Sequence, residues 1–186
     1  AAVRTLHERR SEIDASGSGA RFEDRVAPVY LELVDLLLER SGDAPETAAR
    51  EALLREARAT VEQFKVAELR DYYRDGCVDA LEARARPLEA VSPSAAVLYP
   101  IVLPDRLELL LSLPSGMRRV RVDVDAPTLA EEVRALRQTL EKRSTREYLP
   151  RARRLHERLV APLLPFLEEA GVDTLVWVPD GLLRTI

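Results

Sequence analysis

The sequence holds one cysteine and two histidines, the residues from which a thiol nucleophile and its base could be built: Cys77, His7 and His156. Such a dyad needs thiolate and imidazole within hydrogen-bond reach of each other. The spacing gives no support for one, because Cys77 follows a predicted helix end and His7 lies in a weakly patterned segment. His156 lies beside Leu155 on an amphipathic helix and is interpreted as a boundary histidine. A lone cysteine is commonly a small buried apolar residue. We therefore expect no catalytic residue in this chain.

Other patterns that carry chemistry are weak or missing. The carboxylate pairs Glu131-Glu132 and Glu168-Glu169 are adjacent in predicted helices, where neighbours point about 100° apart, so they are interpreted as solvated faces. The sequence has no glycine-rich phosphate loop and no metal-ligand spacing, so we expect neither a cofactor nor a metal. Four arginines form the densest basic patch, interpreted as a charged outer helix face with anion binding as the less favoured alternative: Arg151, Arg153, Arg154 and Arg158.

Composition narrows the class of protein. Of 186 residues, 46% are hydrophobic and 32% are charged, and no apolar run approaches the roughly 20 residues of a membrane span. The net charge of -4 argues against a dedicated nucleic-acid binder. A single cysteine suits a reducing, cytoplasmic setting. The chain begins at Ala1 and its only methionine is Met117, so we expect an excised piece of a longer protein.

The first half is predicted to be helical. A weak pattern covers residues 1–14, and stronger helices are expected over Phe22–Arg40, with Pro28 in the first turn, and from about Asp43 to Tyr73. The apolar stripe of the second helix makes a five-residue step after Phe64, which predicts that the buried face rotates or the helix bends there. That stripe comprises Leu54, Ala57, Val61, Phe64, Leu69 and Tyr72.

A short further helix is expected within Cys77–Leu88, and helical periodicity ends at Ser92-Pro93-Ser94. We therefore place a domain boundary near residue 90, which separates a repeat-like helical region, 1–90, from a second domain, 91–186. Paired antiparallel helices are typical of helical repeats, and at most one such pair is visible.

Three strands are predicted after the boundary: Ala96–Leu103, Arg106–Leu113 and Arg118–Val124. The turns between them are short enough to force antiparallel hairpins. Pro100 lacks a donor, so the first strand is expected at a sheet edge or with a bulge. Alternating leucines mark the buried face of the middle strand: Leu107, Leu109, Leu111 and Leu113. The third strand alternates valines with a solvated face of Arg119, Arg121 and Asp123.

Helices are predicted to follow the meander. Thr128 and Glu131 form a capping box for a helix that ends at Lys142 or Arg143. A second helix begins between Thr145 and Tyr148, a last helical piece covers Leu163–Ala170, and Gly171 is its C-cap. Leucines and other apolar residues at helical spacing are expected to point inward: Leu129, Val133, Leu136 and Leu140 on the first helix, and Leu149, Ala152, Leu155 and Leu159 on the second.

The last strand, Asp173–Val178, is apolar on both faces. Leu175 and Trp177 would point to one face, and Val176 and Val178 to the other. Such a strand is typical of the interior of a sheet covered by helices on both sides. We expect Val176 and Trp177 to form an apolar edge that invites aggregation or pairing when no neighbouring strand covers it.

Several ordered blocks stand out from roughly Phe22 onward: Ala67–Tyr73, Asp75–Val78, Leu98–Glu108, Tyr148-Leu149-Pro150, Ala161-Pro162-Leu163 and Gly171–Gly181. The last four blocks resemble the first half of the CHAT domain, and the first two resemble the helical linker that joins that domain to tetratricopeptide-type repeats. The CHAT family is caspase-like and related to separases. The resemblance implies a cysteine peptidase, a hydrolase whose His and Cys end later parallel strands, beyond the segment matching Pro179-Asp180-Gly181.

These observations define one expected architecture and two candidate functions. The expected fold is α/β: N-terminal antiparallel helices followed by a truncated caspase-like layered domain with a three-stranded antiparallel meander, two to three helices and a first buried parallel strand. The chain would be an inactive fragment of a peptidase that cleaves a protein or peptide substrate, and its helices would receive a signal from a regulatory protein partner. The missing C-terminal half of the domain would be a further partner, with neither nucleic acid nor membrane involved. The alternative is a non-catalytic interaction scaffold with a degenerate CHAT domain.

Overall fold

The computed structural model describes residues 22–73, 92, 94–142 and 146–186 of the chain. The chain divides into two compact units at residues 85 and 86, and each is described by itself. The segments 1–14 and 77–88, for which helices were predicted, lie outside the described residues, as do His7 and Cys77.

Two helices joined by a three-residue connection form the described part of the first unit: α1, Phe22–Asp43, and α2, Thr47–Tyr73. The connection is short, so α2 folds back along α1. The ring centroids of Tyr30 and Phe64 lie 5.5 Å apart across this helix pair, and both side chains are buried. The helix expected to end near Tyr73 is confirmed.

Two details of this helix pair differ from the sequence prediction. Pro28 lies in the second turn of α1, since the helix begins at Phe22, and not in the first. The buried stripe of α2 continues from Phe64 to Ala67, which is 3% exposed, whereas Leu69 is 48% exposed. The expected rotation of the buried face after Phe64 is therefore wrong. The prediction considered only large apolar residues and therefore overlooked Ala67. This alanine lies three residues after Phe64, which is an ordinary helical spacing.

The second unit is built on a four-stranded mixed sheet: β1, Ala95–Val102; β2, Leu107–Leu113; β3, Gly116–Val122; and β4, Thr174–Trp177. The strand order is β3-β2-β1-β4. The predicted hairpins are confirmed, because β1–β2 and β2–β3 pair antiparallel, whereas β4 pairs parallel to β1.

Pro100 does not place β1 at an edge, and that expectation is wrong. The amide of Leu103 donates to the carbonyl of Arg106 at 2.9 Å, and hydrogen-bonded pairs alternate along antiparallel strands, so the amide position of Pro100 faces away from β2. On the other side, the amide of Val178 donates to the carbonyl of Leu98 at 2.9 Å, at the end of the β4 pairing. Pro100 has no backbone N–H, but its nitrogen faces a position just beyond the residues of β4 that pair with β1. No hydrogen bond between these two strands is therefore lost.

β4 lies at an edge of the described sheet. Leu175 and Trp177 pack against the main core, as predicted, while Val176 and Val178 on the other face are half-buried. Both faces of β4 are thus half-buried rather than fully buried, and in the described sheet β4 has the open edge expected where no neighbouring strand covers it.

Helices cover the core face of the sheet: α3, Ala126–Glu141; α4, Tyr148–Leu159; and α5, Leu164–Glu169. Two short 3₁₀ segments, Ala161–Leu163 and Gly181–Thr185, complete the unit. The core holds the alternating leucines of β2 with residues of these helices: Leu107, Leu109, Leu111, Leu113, Leu129, Val133, Leu136, Leu155, Leu159, Leu163 and Leu183. Gly171 follows α5 with φ +62°, as expected for a C-terminal glycine.

The cap of α3 is Asp125, and the predicted capping box at Thr128 and Glu131 is wrong. Asp125 Oδ1 accepts a hydrogen bond of 2.8 Å from the backbone N–H of Thr128. Thr128 is thus the third residue of the helix and donates its amide to the cap, so it is not itself the N-cap residue. An aspartate followed by a proline in the first turn is itself a helix-start signal.

The inward stripes of α3 and α4 are each shifted at one end. On α3, Leu140 is 50% exposed and Thr139 is buried in its place. The Thr139 hydroxyl donates 2.7 Å to the carbonyl of Leu136, which removes most of the cost of burying it. On α4, Leu149 is 38% exposed, while Tyr148 packs against the core.

Candidate functional site

An apolar groove of about 250 Å³ lies at the carboxyl ends of the parallel strands β1 and β4. The last residue of β1, the first two turns of α3 and the segment after β4 form its walls. Its lining consists of Val102, Ala126, Leu129, Ala130, Val133, Asp180, Gly181, Leu182 and Leu183. In α/β sheets, ligands bind outside the carboxyl ends of the strands, so this groove is the first candidate site of the unit.

Local interactions hold both walls of the groove in place. The side chain of Leu183 is 1% exposed and anchors the short 3₁₀ segment in the core beside α3. Asp180 accepts a hydrogen bond of 3.0 Å from Arg184, one turn further on. On the opposite wall, the amide of Ala126 donates 3.3 Å to the carbonyl of Pro104, which ties the start of α3 to the turn after β1.

The groove offers a carboxylate and apolar surface. Asp180 is its one ionisable lining residue, and its lining contains no cysteine, histidine, serine or threonine. The groove by itself therefore supplies shape and apolar contact, not a nucleophile. Within the described residues, no group of acidic, cysteine or histidine side chains could hold a metal ion.

A second arrangement, the buried charge cluster of Arg106, Glu108 and Arg119, lies on the face of the sheet opposite the leucine core. The side chain of Glu108 has no exposed surface. Its Oε1 accepts 2.7 Å from Arg106 Nε and 2.6 Å from Arg119 Nη2, and its Oε2 accepts 2.8 Å from Arg119 Nε. Arg106 also donates 3.1 Å to Asp105, which is exposed.

Strand geometry brings these three side chains together. Arg106 and Glu108 are two residues apart and share a face, while Arg119 lies diagonally across from Glu108 on β3. Burial by itself raises the pKa of Glu108, but the hydrogen bonds and positive charges of Arg119 and Arg106 hold that pKa below its ordinary value. Glu108 is therefore ionised at neutral pH and balances two guanidinium groups. The cluster has a structural role, because it binds β2 to β3.

Sequence reasoning missed this cluster. Arg119 was assigned to a solvated face, but its side chain is only 17% exposed. The available signal was Glu108 itself, a carboxylate inside a run of leucines with an arginine two residues before it. A buried acid needs a partner on the same face, and Arg106 is the nearest candidate in sequence.

The structure separates the other residues considered from sequence. Glu131, Glu168 and Glu169 are exposed, as the solvated-face interpretation predicts, and His156, which was interpreted as a boundary residue, is exposed as well. Glu132 departs from that interpretation, since its side chain is 13% exposed and accepts two hydrogen bonds of 2.9 Å from Arg158 Nε and Nη2. This fork joins α3 to α4. Of the four patch arginines, Arg158 is thus a helix-pairing residue, whereas Arg151, Arg153 and Arg154 are exposed.

No described helix combines the length and the apolar character needed to cross a membrane. No protein-family model matches the chain. Likewise, no curated protein and no solved structure is significantly similar to it. Function is therefore inferred from the residues and geometry of the chain.

Proposed function

We propose that the chain is the helical linker and N-terminal half of a CHAT domain, from a cytoplasmic caspase-like cysteine peptidase. One observation carries this proposal: β4 lies parallel to β1, and the carboxyl ends of both strands open onto the groove that Asp180 and Gly181 line. The order of meander, helices and parallel strand also agrees with the order expected from the resemblance.

The edge of the sheet links this geometry to peptide cleavage. In the family that the chain resembles, a His and a Cys end later parallel strands. Carboxyl ends of parallel strands meet at one edge of a sheet, so a dyad carried by further strands next to β4 would stand beside the groove. The groove would then receive an apolar part of the peptide substrate while the thiolate attacks the scissile carbonyl.

The helical unit would receive the regulatory signal from a protein partner. Leu36 on α1 and Leu69 on α2 are 57% and 48% exposed, whereas the facing surfaces of the two helices are buried. Single exposed leucines are common on protein surfaces, so the proposed partner contact is supported by the resemblance to the helical linker and not by these two side chains.

The test labels the longer protein, including the residues encoded after Ile186, with an electrophilic peptidyl ketone that reacts with catalytic thiols. We expect the label on a cysteine that follows an apolar strand beyond Ile186. Its replacement by alanine should abolish both labelling and peptide turnover. The 186-residue chain should neither turn over peptides nor change its behaviour on Cys77→Ser. Labelling of Cys77 together with turnover that Cys77→Ser abolishes would overturn the proposal.

A second candidate is a protein-interaction scaffold with a degenerate CHAT domain. The lining of the groove favours it, because apolar surface with one carboxylate is sufficient for docking and contains no nucleophile. Under this proposal, the coding sequence after Ile186 lacks a His and a Cys behind successive apolar strands. Reading that sequence separates the two candidates before any assay.

A further inference from the structure

The apolar groove at the carboxyl ends of β1 and β4 has a buried floor and an open rim. Its floor consists of the buried side chains of Leu129, Val133 and Leu183. At the rim, Leu182 is exposed, and a Cβ on Gly181 would meet no part of the chain within 4 Å apart from its own neighbours. A ligand side chain can therefore enter beside Gly181 and reach the apolar floor while the backbone that carries it stays at the surface.

The volume of the groove suits one large side chain. Its volume of about 250 Å³ exceeds that of a core cavity of roughly 150 Å³, which holds a benzene ring. It is smaller than the roughly 300–1,000 Å³ of sites that enclose drug-sized ligands. A side chain of the size of leucine or methionine therefore fits the groove, whereas several consecutive residues of a peptide do not.

Two alanines of α3 create this space. Ala126 and Ala130 are half-buried, and both line the groove. They lie four residues apart, so they are neighbours on one side of the helix. Their methyl groups leave open the volume that a longer side chain would fill. The size of the residue at position 130 therefore limits the size of the side chain that the groove can hold.

The charges at the rim favour an uncharged ligand side chain. Asp180 is the one ionisable residue of the lining, so an acidic side chain would meet a like charge. Oδ1 of Asp180 accepts a hydrogen bond of 3.0 Å from Arg184, and a basic side chain would compete with this guanidinium group. An apolar side chain meets neither obstacle and is favoured because its burial against the aliphatic floor removes apolar surface from water.

We propose that the groove binds one large uncharged side chain of a peptide, of the class of leucine or methionine, and that Ala130 determines the size of that side chain. The inference rests on the proposed function for the peptide, and it names the side chain that the substrate presents to the groove. Ala130 is thereby a specificity-determining residue and takes no part in bond cleavage.

The test follows the methyl NMR signals of the 186-residue chain during titration with capped tetrapeptides Ala-Ala-Xaa-Ala. We expect the peptide with Leu at Xaa to shift the methyl signals of Val102, Ala130 and Val133. The peptide with Ala at Xaa should bind at least about tenfold more weakly, because it lacks the methylene and methyl groups that contact the floor. Peptides with Glu or Arg at Xaa should also bind more weakly than the Leu peptide, and equal or tighter binding of either would overturn the proposal.

The variant Ala130→Leu places a longer side chain in the groove and should weaken binding of the Leu peptide by at least about tenfold. The matched control is Ala135→Leu, the same change at another half-buried alanine of α3 that does not line the groove. It should leave the affinity within about threefold of wild type. Equal losses in the two variants, or no loss in either, would overturn the proposal.

A second pair of variants serves if Ala130→Leu fails to fold. Leu182→Ala shortens a side chain at the rim and should weaken binding of the Leu peptide by at least about threefold. Leu164→Ala makes the same change at a leucine of similar exposure outside the groove and should leave the affinity unchanged. Equal affinities of these two variants would overturn the proposal.

The binding test needs no catalysis, so it separates this inference from the proposed peptidase. Thiol labelling of the longer protein without Leu-selective binding in the groove would overturn this inference alone. Leu-selective binding that Ala130→Leu removes, together with a longer protein that is neither labelled nor active on peptides, would overturn the peptidase alone.

Discussion

Arg119 lies diagonally across the β2–β3 pair from Glu108 and grips both of its carboxylate oxygens, with Nε 2.8 Å from Oε2 and Nη2 2.6 Å from Oε1. Arg106 reaches the same carboxylate from the start of β2. A single buried negative charge thus fixes two guanidinium groups on one face of the sheet. Its removal would leave both cations without their main counter-charge.

Replacing Glu108 with Gln should lower the free energy of unfolding by about 3 kcal/mol, because Arg106 and Arg119 would remain buried without a carboxylate between them. Urea denaturation followed by circular dichroism measures this change. The control is Glu131→Gln, which removes an exposed carboxylate from α3 and should cost less than about 0.5 kcal/mol. Similar losses in the two variants would contradict the buried cluster.

Acid should destabilise the chain through the same carboxylate. The pKa of Glu108 is lower in the folded chain than in the unfolded one, so its stabilisation is fully present above the unfolded value, about 4.3, and is lost as the pH falls through the folded value. The difference in urea midpoint between wild type and Glu108→Gln should therefore shrink below about pH 4. A difference that stays constant down to about pH 3 would contradict the lowered pKa.

The start of α3 should depend more on Asp125 than on the side chain of Thr128. Asp125→Ala removes the acceptor of the Thr128 amide and should lower the urea midpoint and the helical signal. Thr128→Ala removes the hydroxyl contact with Asp125 but keeps the amide hydrogen bond, so it should lower both by less. A larger loss in Thr128→Ala than in Asp125→Ala would contradict the cap at Asp125 and support the capping box that the sequence suggests.

The wall of the groove should depend on one leucine of the segment after β4. Leu183→Ala should cost about 3 kcal/mol, since the side chain is 1% exposed in the core cluster. The adjacent Leu182, which also lines the groove, is 37% exposed, and Leu182→Ala should cost less than about 1 kcal/mol. Thermal denaturation of both variants checks this contrast, and equal losses would contradict the anchoring role of Leu183.

Sequence alone determined the elements whose signals are local. The alternating leucines of β2, the short turns of the meander and the glycine after α5 predicted two hairpins and a helix end that the structure confirms. These features depend on neighbours within a few residues, and periodicity reads such neighbours directly. Glu108 is visible in the sequence as a carboxylate among these leucines, but the sequence does not identify which arginine of β3 forms an ion pair with it.

Tertiary structure decided what depends on distant contacts. The register of β3 against β2 turned Arg119 from a solvated residue into a partner of Glu108. β4 pairs with β1 only as far as Leu98, so Pro100 is tolerated inside the sheet, and the carboxyl ends of these parallel strands open onto the groove beside α3. Where α4 packs on α3, Arg158 forms an ion pair with Glu132, whereas Arg151 and Arg154 are exposed. Burial and pairing are set by what lies across the fold, and the linear sequence does not contain those distances.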